Sequence, residues 1–503
     1  MSIKQRVLLV NPSMTPARNA RFPLAILNLA SALEGPFSTT LLDGNVDRDF
    51  IATTLRAVNA GSVDALGVSV MGGPQLPPAI ALSKAVRAAA PQLPIIWGGA
   101  FPTNCPDATL NTSYVDYAVR AQGEATFTEL LQALQRPALG GLDHIDGLSW
   151  CRDGQTVHNR ERHFSAAGLM QRVPYERLAH PRRYLTRTYL GRHTAGYQAG
   201  LGCRYRCTFC GVATMFRGRL ALPTAARLEE DLRFLTTQLG ADAIQFYDHN
   251  FFDREVDMVP LLQVLARFKL PWWCFARADA LLELSESSWK LVRESQLKMA
   301  YIGAESPSDW LLHDIRKGTR TDQTLAAVEL CHRHGVVPEL SFMLAPPQDP
   351  EGETERTFEF IRQIKARYPR TEVMLYVYTP LPARPGSQGR RPSSEADLRD
   401  CAGHPVVFPT TAEGWAQPQW RAYWCHTDSP WISASLRERI RDFTTVLGCR
   451  YPTVTDIRSP RWGKLTLSAL ASWRYRFRRY GRPWELDLSK KFIRLHDPRV
   501  SSL

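Results

Sequence analysis

The stretch Gly200-Leu201-Gly202-Cys203-Arg204-Tyr205-Arg206-Cys207-Thr208-Phe209-Cys210-Gly211 places three cysteines at a C-x3-C-x2-C spacing. Because only 10 of the 503 residues are cysteine, independent placement would give this spacing roughly 0.004 times in such a chain. Three thiolates can hold three corners of a four-iron, four-sulfur cluster and leave the fourth corner open to a small molecule. The spacing therefore predicts an iron-sulfur ligand loop formed by Cys203, Cys207 and Cys210.

A buried helix is the alternative interpretation of the same cysteines. Positions i, i+4 and i+7 share one helical face, and free cysteine packs as a small hydrophobic residue. The flanking residues favour the cluster instead. Gly200 and Gly202 suit a loop that wraps closely around a ligand, and Arg204 and Arg206 add positive charge that favours thiolate over thiol.

The composition is that of a folded protein of about three domains, with 44% apolar and 22% charged residues. No apolar run approaches the ~18 residues that cross a bilayer, and the N-terminus passes directly into a strand-like run without signal-peptide organisation. Three clustered cysteines among ten indicate a reduced compartment with one metal site. We therefore expect a cytoplasmic protein. The net charge of +13 does not choose between nucleic acid, an anionic membrane and anionic cofactors.

Two runs of alternating strands and helices predict an α/β fold with parallel sheets. The first, residues 1–140, is expected as a doubly wound, Rossmann-like domain whose ligands lie beyond the carboxyl ends of the strands. That rule selects as cofactor-binding candidates Ser69, Gly72, Gln75, Gly98, Gly99, Gly123 and Glu124. Residues 141–190 are expected as a connector.

The second run, residues 191–386, contains six β/α units and predicts a partial TIM-type barrel. Polar residues that follow its strands are further cofactor-binding candidates, namely Asp248, Asn250, Arg277 and Glu305. Any one of them alone could equally be a solvated loop charge or a helix cap, and their common edge is what favours a site.

The triple-cysteine loop resembles that of the radical S-adenosylmethionine (SAM) enzymes, which have an aromatic residue before the last cysteine, here Phe209. The resemblance implies a 4Fe-4S cluster whose open iron binds SAM and cleaves it to a 5′-deoxyadenosyl radical. It also implies SAM contacts from Phe209, Asp248, Asn250 and Arg277, and a ribose contact from Glu305. His249 departs from the Asp-Asp-Asn that similar enzymes carry at Asp248–Asn250.

The first domain resembles the cobalamin-binding domain fused to the barrel in one subfamily, through Phe22-Pro23-Leu24, Ile96-Trp97-Gly98-Gly99 and Gly123-Glu124. The resemblance implies cobalamin, with residues 72–76 near the lower face of the corrin. The D-x-H-x-x-G sequence that brings a histidine to cobalt is absent, and the nearest segment is Asp43-Gly44-Asn45-Val46-Asp47.

Residues 387–503 are rich in tryptophan and arginine, and we expect a mostly helical region that caps the substrate. Trp415, Trp420, Trp424 and Trp431 form one group, and Trp462, Trp473 and Trp484 form another beside five arginines. A helical cap packed on the barrel is the favoured interpretation. Peripheral contact with a membrane and nucleic-acid binding are the alternatives, and nucleic acid is the least favoured.

The leading hypothesis is a cobalamin-dependent radical SAM methylase of an unactivated carbon. The resemblance implies a small-molecule or lipid-like substrate and an external electron donor of the flavodoxin or ferredoxin type. Two rivals remain open: an anaerobic oxidative cyclase of a tetrapyrrole-like or lipid substrate, and a nucleic-acid-binding protein with a structural cluster.

Overall fold

The structure is a computed structural model that describes residues 4–135, 141–166, 172–381, 398–457, 459–490, 492, 493, 495 and 498. The predicted boundary at residue 386 lies outside these residues. The second half of the proline-rich segment Tyr378–Gly386 also lies outside them. Within the described part of the chain, no helix combines the length and the apolar character needed to cross a bilayer.

The N-terminal sheet has seven strands in the order β2-β1-β3-β4-β5-β6-β7. These strands are β1 (Gln5–Asn11), β2 (Phe37–Asp43), β3 (Ala65–Ser69), β4 (Ile95–Gly98), β5 (Tyr117–Val119), β6 (Leu148–Arg152) and β7 (Gln155–His158). The helices are α1 (Leu24–Ala32), α2 (Phe50–Asn59), α3 (Leu76–Ala89), α4 (Ala100–Asn104), α5 (Pro106–Leu110) and α6 (Gly123–Gln135). Every residue of β3 is buried, as expected for a parallel strand covered by helices on both faces.

Strands β1 to β5 are parallel, and the strand order reverses between β1 and β3. Such a switch point opens a crevice beyond the carboxyl ends of the strands. Strands β6 and β7 pair antiparallel at the far edge, although they belong to the segment expected as a connector. The predicted site of the first domain therefore lies at the carboxyl ends of the parallel strands β1 to β5.

The second sheet has six parallel strands in the order β15-β14-β13-β12-β11-β8. They are β8 (Thr194–Tyr197), β11 (Ala243–Phe246), β12 (Trp272–Ala276), β13 (Leu297–Glu305), β14 (Val337–Leu344) and β15 (Glu372–Val377), with a small β9 (Leu201–Gly202) and β10 (Leu220–Ala221) pair. The helices are α7 (Gly211–Phe216), α8 (Ala225–Phe234), α9 (Glu255–Phe268), α10 (Ala278–Leu282), α11 (Glu286–Glu294), α12 (Asp309–Asp314), α13 (Thr321–Arg333) and α14 (Pro350–Arg367). This arrangement confirms the predicted partial barrel.

The C-terminal region is helical, as expected. It contains α15 (Ala412–Trp415), α16 (Pro418–Trp424), α17 (Ala434–Arg450), α18 (Arg461–Arg476) and α19 (Trp484–Lys490). Helix α17 packs on the outer barrel helix α14, where the rings of Phe358 and Phe443 stack with centroids 3.7 Å apart. The indole of Trp431 donates a hydrogen bond to the Ala345 carbonyl at the end of β14 (2.8 Å). This part of the region therefore packs on the barrel.

A buried carboxyl at the start of β14 makes stability depend on pH. Burial raises the pKa of Glu339 to about 7, and its Oε2 accepts a 3.0 Å hydrogen bond from the Trp273 indole. An unfolded glutamate titrates near pH ~4.3. Between these pH values the folded state binds the proton more tightly, so stability conferred by this group is present at low pH and is lost as pH rises through 7.

We expect Glu339→Gln to remove this loss while keeping the indole hydrogen bond. The variant should be more stable than the parent at pH 8, by up to about 3 kcal/mol, and much closer to it at pH ~5. Urea unfolding at the two pH values measures the difference. A gain of the same size at both would show that Glu339 does not titrate in this range.

Candidate active site

The cysteine loop leaves the barrel after β8 and ends at α7. Gly202 has a φ of 87°, and a Cβ at this position would lie 2.2 Å from the Arg219 carbonyl oxygen, so glycine is required. The Thr208 amide donates to the Ile315 carbonyl (3.0 Å), which fixes the middle of the loop to the barrel. The cysteines therefore lie in a loop and not on one helix face.

The three thiols lie within electrostatic range of one another. Burial raises the pKa of Cys203, and the neighbouring Cys207 raises it further. Burial also raises the pKa of Cys210 to about 11, again with a contribution from Cys207. Three cysteine thiolates are the donor set that holds iron-sulfur clusters, so the residues present fit such a group.

Arg277, directly after β12, connects the loop to the barrel. Its guanidinium pairs with Asp279 (2.7 and 3.0 Å) and donates to the Lys317 carbonyl (2.6 Å). Its Nη1 lies 3.9 Å from Cys207 Sγ, and the group covers the Tyr205 ring at 3.5 Å. This buried cation therefore lies against Cys207, and together with Lys317 it acts on Cys203.

The sequence suggested that the two arginines within the loop supply positive charge to the thiols, but the structure places both at the surface. Arg204 and Arg206 are exposed, and Arg204 forms an ion pair with the buried Asp253. The charge that acts on Cys207 comes from Arg277, which is 70 residues away in the sequence. Only the position of Arg277 after a predicted barrel strand could have indicated it.

Asp248 and Asn250, after β11, are both buried. The Asp248 carboxylate accepts hydrogen bonds from the Ala199 amide (2.9 Å) and the Gly200 amide, and burial raises its pKa to about 7. Asp248 therefore supports the start of the cysteine loop, and direct contact with SAM stays a prediction. The Oδ1 atom of Asn250 has no hydrogen-bond partner among the described residues, which leaves it available to a ligand.

His249 and Phe209 lie beside these residues. The side chain of His249 is exposed, and its ring packs near Phe216 with centroids 5.4 Å apart. Phe209 is half-buried and packs against the main core, so its contact with SAM stays a prediction.

Glu305 ends β13 in an uncommon backbone conformation, with a φ of 62° at a register shift against β14. Its carboxylate receives the Lys317 ammonium (2.7 Å) and the Tyr376 hydroxyl. The burial of Tyr376 and the charge of Glu305 raise the pKa of that phenol. Ribose binding by Glu305 stays a prediction, because both carboxylate oxygens already accept hydrogen bonds. Lys317 and Tyr376 were missed at the sequence level.

Two of the candidates at the edge of the N-terminal sheet, Gln75 and Gly99, hold the neighbouring loops in place. Gln75 supports the loops after β1 and β3: it donates to Asn11 and to the Pro12 carbonyl (both 2.8 Å), and accepts from the Met71 amide (2.7 Å). Gly99 has a φ of 103° and contacts the Val70 backbone. Contact of Gln75 with a corrin stays a prediction.

The remaining candidates lie at the carboxyl ends of β3, β4 and β5. An added Cβ at Gly98 would be in ordinary contact with Val119 (3.8 Å), and one at Gly123 would be in closer contact with Val119 and Leu29 (3.4 and 3.5 Å). Glu124 is half-buried, and burial raises its pKa. Ser69 is 9% exposed, whereas Met71 is 51% exposed. Contact of these residues with cobalamin stays a prediction.

Gly72 faces a tryptophan of the C-terminal region. Its φ is 96°, and an added Cβ would lie 2.3 Å from the Trp424 indole. The next residue, Gly73, faces Trp424 and Cys425. The predicted corrin-facing loop is thus covered on this side by α16, a contact that no sequence pattern indicated.

The same segment reaches the mouth of the barrel. The His426 carbonyl accepts from the Val377 amide (2.7 Å), and its imidazole contacts the Thr379 hydroxyl. The rings of His426 and Tyr376 are 5.8 Å apart, and burial lowers the pKa of His426 to about 4. Residues 424–426 therefore lie between the sheet edge and the barrel mouth.

We expect Gly72→Ala to displace Trp424 and to reduce substrate turnover at least tenfold while the cluster still assembles. Gly35→Ala is the matched control, because Gly35 has a φ of 95° but no atom within 4 Å of an added Cβ. Both variants carry the same backbone strain of about 1 kcal/mol. Iron content and turnover are measured for both. Equal losses of turnover would show that strain, and not the Trp424 contact, matters.

The two halves of the site are joined directly. The Thr214 hydroxyl in α7 donates to Asn104 Oδ1 in α4 (2.6 Å). Phe101 of α4 contacts Trp424, with ring centroids 5.4 Å apart. The carboxyl edge of the first sheet consequently lies against the helix that follows the cysteine loop.

Comparisons with known proteins agree with this arrangement. Residues 15–131 match the B12 binding domain, and residues 197–361 match the Radical SAM superfamily. The chain is a B12-binding radical SAM enzyme. The matches confirm the suspected family, the α/β fold class and the predicted cofactors: a 4Fe-4S cluster, SAM and cobalamin.

The enzyme has relatives of low identity that cover most of its length. It is 23% identical over 352 residues to the uncharacterized methyltransferase PH0819 of Pyrococcus horikoshii, covering 69% of this chain and 74% of that protein. It is 24% identical over 343 residues to the anaerobic magnesium-protoporphyrin IX monomethyl ester cyclase of Synechocystis sp., covering 66% and 67%.

One solved structure matches nearly the whole fold. It is the radical S-adenosylmethionine methyltransferase TsrM from Kitasatospora setae with cobalamin and a 4Fe-4S cluster bound. The TM-score is 0.59 at 17% identity, and the match covers 94% of this chain and 99% of TsrM. At this identity the likeness concerns the fold alone.

Proposed function

We propose that the enzyme methylates an unactivated carbon of a small molecule. The observation that carries this proposal is the position of the cysteine loop against the carboxyl edge of the B12-binding sheet, held by the Thr214–Asn104 hydrogen bond (2.6 Å). A substrate held between a radical source and a methyl donor needs this arrangement. Relatives named as methyltransferases support the same activity.

The chain's own residues would hold the cofactors and shape the cleft. Cys203, Cys207 and Cys210 would hold the cluster, and the edge at Gly98 and Glu124 would hold cobalamin. When bound, these cofactors supply a carbon radical that removes a hydrogen atom and a methyl group that replaces it. The side chains at residues 424–426 exclude water from one side of the cleft.

The network of Glu305, Lys317 and Tyr376 forms another wall. Because the Lys317 ammonium neutralises the Glu305 carboxylate, this wall presents a rigid hydrogen-bonded surface near Cys210 instead of a free charge. Such preorganisation keeps a bound substrate aligned without the cost of ordering side chains during the reaction.

An external electron donor of the flavodoxin or ferredoxin type belongs to this proposal. Four exposed arginines lie in the cysteine loop or shortly after it: Arg204, Arg206, Arg217 and Arg219. Arg204 and Arg217 are paired with Asp253 and Glu161, which leaves Arg206 and Arg219 as the larger part of the positive charge. A cationic surface this close to the cysteines suits an acidic electron carrier, whose association would be steered by opposite charge and weakened by salt. Peripheral membrane contact through the C-terminal region, with a lipid-like substrate, also remains part of the proposal.

The test uses isotopic label. Cells with and without the gene are grown anaerobically with methyl-labelled methionine, and their metabolites are compared by mass spectrometry. A product that carries the labelled methyl group supports methylation. The anaerobically reconstituted enzyme should also retain about one corrin per chain. A corrin-free enzyme would remove methylation as the first choice.

An oxidative cyclase is the second candidate, since the Synechocystis relative is named as a cyclase. This activity predicts a product that depends on the gene and is oxidised but carries no label. The same experiment therefore separates the two reactions.

A further inference from the structure

The exposed large apolar side chains of this protein are concentrated near the C-terminus. Those between residues 461 and 492 are Trp462, Leu465, Leu470, Trp473, Phe477, Trp484, Leu488 and Phe492, each at least 42% exposed. Scattered exposed apolar residues are ordinary, but a contiguous group indicates a surface that something covers. We call the five members between residues 462 and 477 the aromatic face of α18.

The aromatic face occupies one side of the helix. At 100° per residue, its members span an arc of about 140°. The opposite side is buried and contains Gly463, Leu467, Ala471 and Tyr475. The Arg450 guanidinium of α17 donates to the Ser468 hydroxyl (2.8 Å), which anchors α18 from this buried side. The helix is thus fixed in place by one side and presents apolar residues on the other, the reverse of an ordinary surface helix.

Positive charge accompanies this face. Residues 461–490 contain eight basic and two acidic residues. One of the acidic residues, Glu485, is paired with the buried Arg474. Arg461, Arg476, Arg479 and Arg482 are exposed at the two ends of α18 and in the turn that follows it.

The aromatic face lies on the flank of the barrel. Arg362 of the barrel helix α14 contacts the Tyr475 carbonyl and donates to the Tyr480 hydroxyl (2.7 Å). The cysteine loop lies elsewhere, beyond the carboxyl end of β8 at the mouth of the barrel. Whatever covers the aromatic face therefore leaves the mouth of the barrel free.

We infer that the aromatic face of α18 docks the enzyme on an anionic lipid surface. Tryptophan and phenylalanine enter the interfacial layer of a bilayer, and flanking arginines pair with anionic headgroups. An exposed, convex helix side suits a planar deformable surface, whereas stacking of nucleotide bases requires a groove that follows the strand. This inference specifies the surface and the lipid charge of the membrane contact included in the proposed function, and the methylation itself does not depend on it.

The test is sedimentation of the full-length enzyme with phosphatidylcholine vesicles, with and without phosphatidylglycerol. We expect binding that requires phosphatidylglycerol and weakens with salt. The variant Trp462→Ser/Trp473→Ser/Phe477→Ser should bind at least tenfold more weakly. The matched control Val256→Ser/Leu325→Ser/Val407→Ser removes apolar side chains that are equally exposed elsewhere and should bind normally.

A second variant separates a loss of lipid binding from misfolding of the protein. Arg476→Glu/Arg479→Glu keeps the aromatic residues and should lose the preference for phosphatidylglycerol. Formation of 5′-deoxyadenosine, which does not involve these residues, should be unchanged in all variants. The inference is overturned if the parent enzyme ignores anionic vesicles, if the aromatic variant binds as the parent does, or if the face binds an oligonucleotide in preference to vesicles.

Discussion

Cys207→Ala should abolish both the visible absorbance of the reconstituted cluster and all formation of 5′-deoxyadenosine. Cys207 is the middle cysteine of the loop and the most buried of the three, at 8% exposure. Alanine leaves two thiols, which cannot hold three corners of a cube. Anaerobic reconstitution followed by iron analysis, absorbance and chromatography of the nucleoside measures the loss.

Cys151→Ala is the control for the loss of a cysteine in general. Cys151 is exposed in β6, on the antiparallel edge of the first sheet, and it should be dispensable for the cluster. The two variants should therefore differ more than 100-fold in nucleoside formation. If Cys207→Ala still formed 5′-deoxyadenosine, the ligand assignment would be refuted, whereas loss in both variants would indicate general damage.

Local sequence patterns were sufficient to predict the main helices and strands, and to predict the end of each sheet at which the candidate site lies. Trp272–Ala276 was predicted to the residue, because an aromatic and apolar run of this length is short for a helix and typical of a buried strand. The carboxyl ends of parallel strands meet at one edge, so Asp248, Arg277 and Glu305 could be assigned to a common site. The cysteine spacing is also local.

Strand ends next to the site were predicted less well. We expected a strand at Gly196–Gly200, but β8 is Thr194–Tyr197. The Ala199 and Gly200 amides donate to the Asp248 carboxylate and so leave the strand ladder. A distant side chain thus ends this strand, and the strand's own residues do not show it. The strand expected at Tyr114–Ala118 is similarly displaced to Tyr117–Val119.

The partners of the site residues could not be predicted, since they come from distant parts of the chain. Tyr376 reaches Glu305 across 71 residues, and Trp424 reaches Gly72 across two domains. No periodicity encodes such pairs, which depend on side-chain rotamers and on the packing of whole elements. The sequence therefore indicated candidates at the strand ends, but it missed Lys317 and Tyr376 and did not show which residues hold one another.

The long-range contacts of the C-terminal region change what its deletion would test. If this region only capped the substrate, removing residues after about 390 would spare cluster assembly and impair turnover. In the structure this region covers Gly72, stacks on Phe358 and bonds to the end of β15. A deletion would expose buried apolar surface of the barrel itself, so single substitutions such as Gly72→Ala are the cleaner test.

Arg277→Met should lower both the stability of the protein and the reduction potential of its cluster. The substitution leaves the Asp279 carboxylate and the Lys317 carbonyl without their shared partner. Breaking a buried ion pair in this way costs about 3–5 kcal/mol. Urea unfolding of the anaerobic protein measures this cost.

The expected change in potential follows from charge. Arg277 Nη1 lies 3.9 Å from Cys207 Sγ, and the reduced cluster carries one more negative charge than the oxidised one. Removing the cation therefore disfavours reduction. Since Asp279 offsets part of the attraction, we expect a decrease of about 60 mV, a tenfold change for a one-electron couple. Spectroelectrochemistry measures the potential, and slower formation of 5′-deoxyadenosine should accompany the decrease.

Two further variants separate charge from geometry. Arg277→Lys keeps the positive charge but cannot bridge Asp279 and the Lys317 carbonyl in the same way, so it should retain most of the potential and lose stability. Arg204→Met removes a loop arginine whose side chain is 40% exposed and paired with Asp253. Solvent and salt screen that charge, so its loss should shift the potential far less. Equal shifts for Arg204→Met and Arg277→Met would mean that the buried guanidinium has no special influence on the cluster.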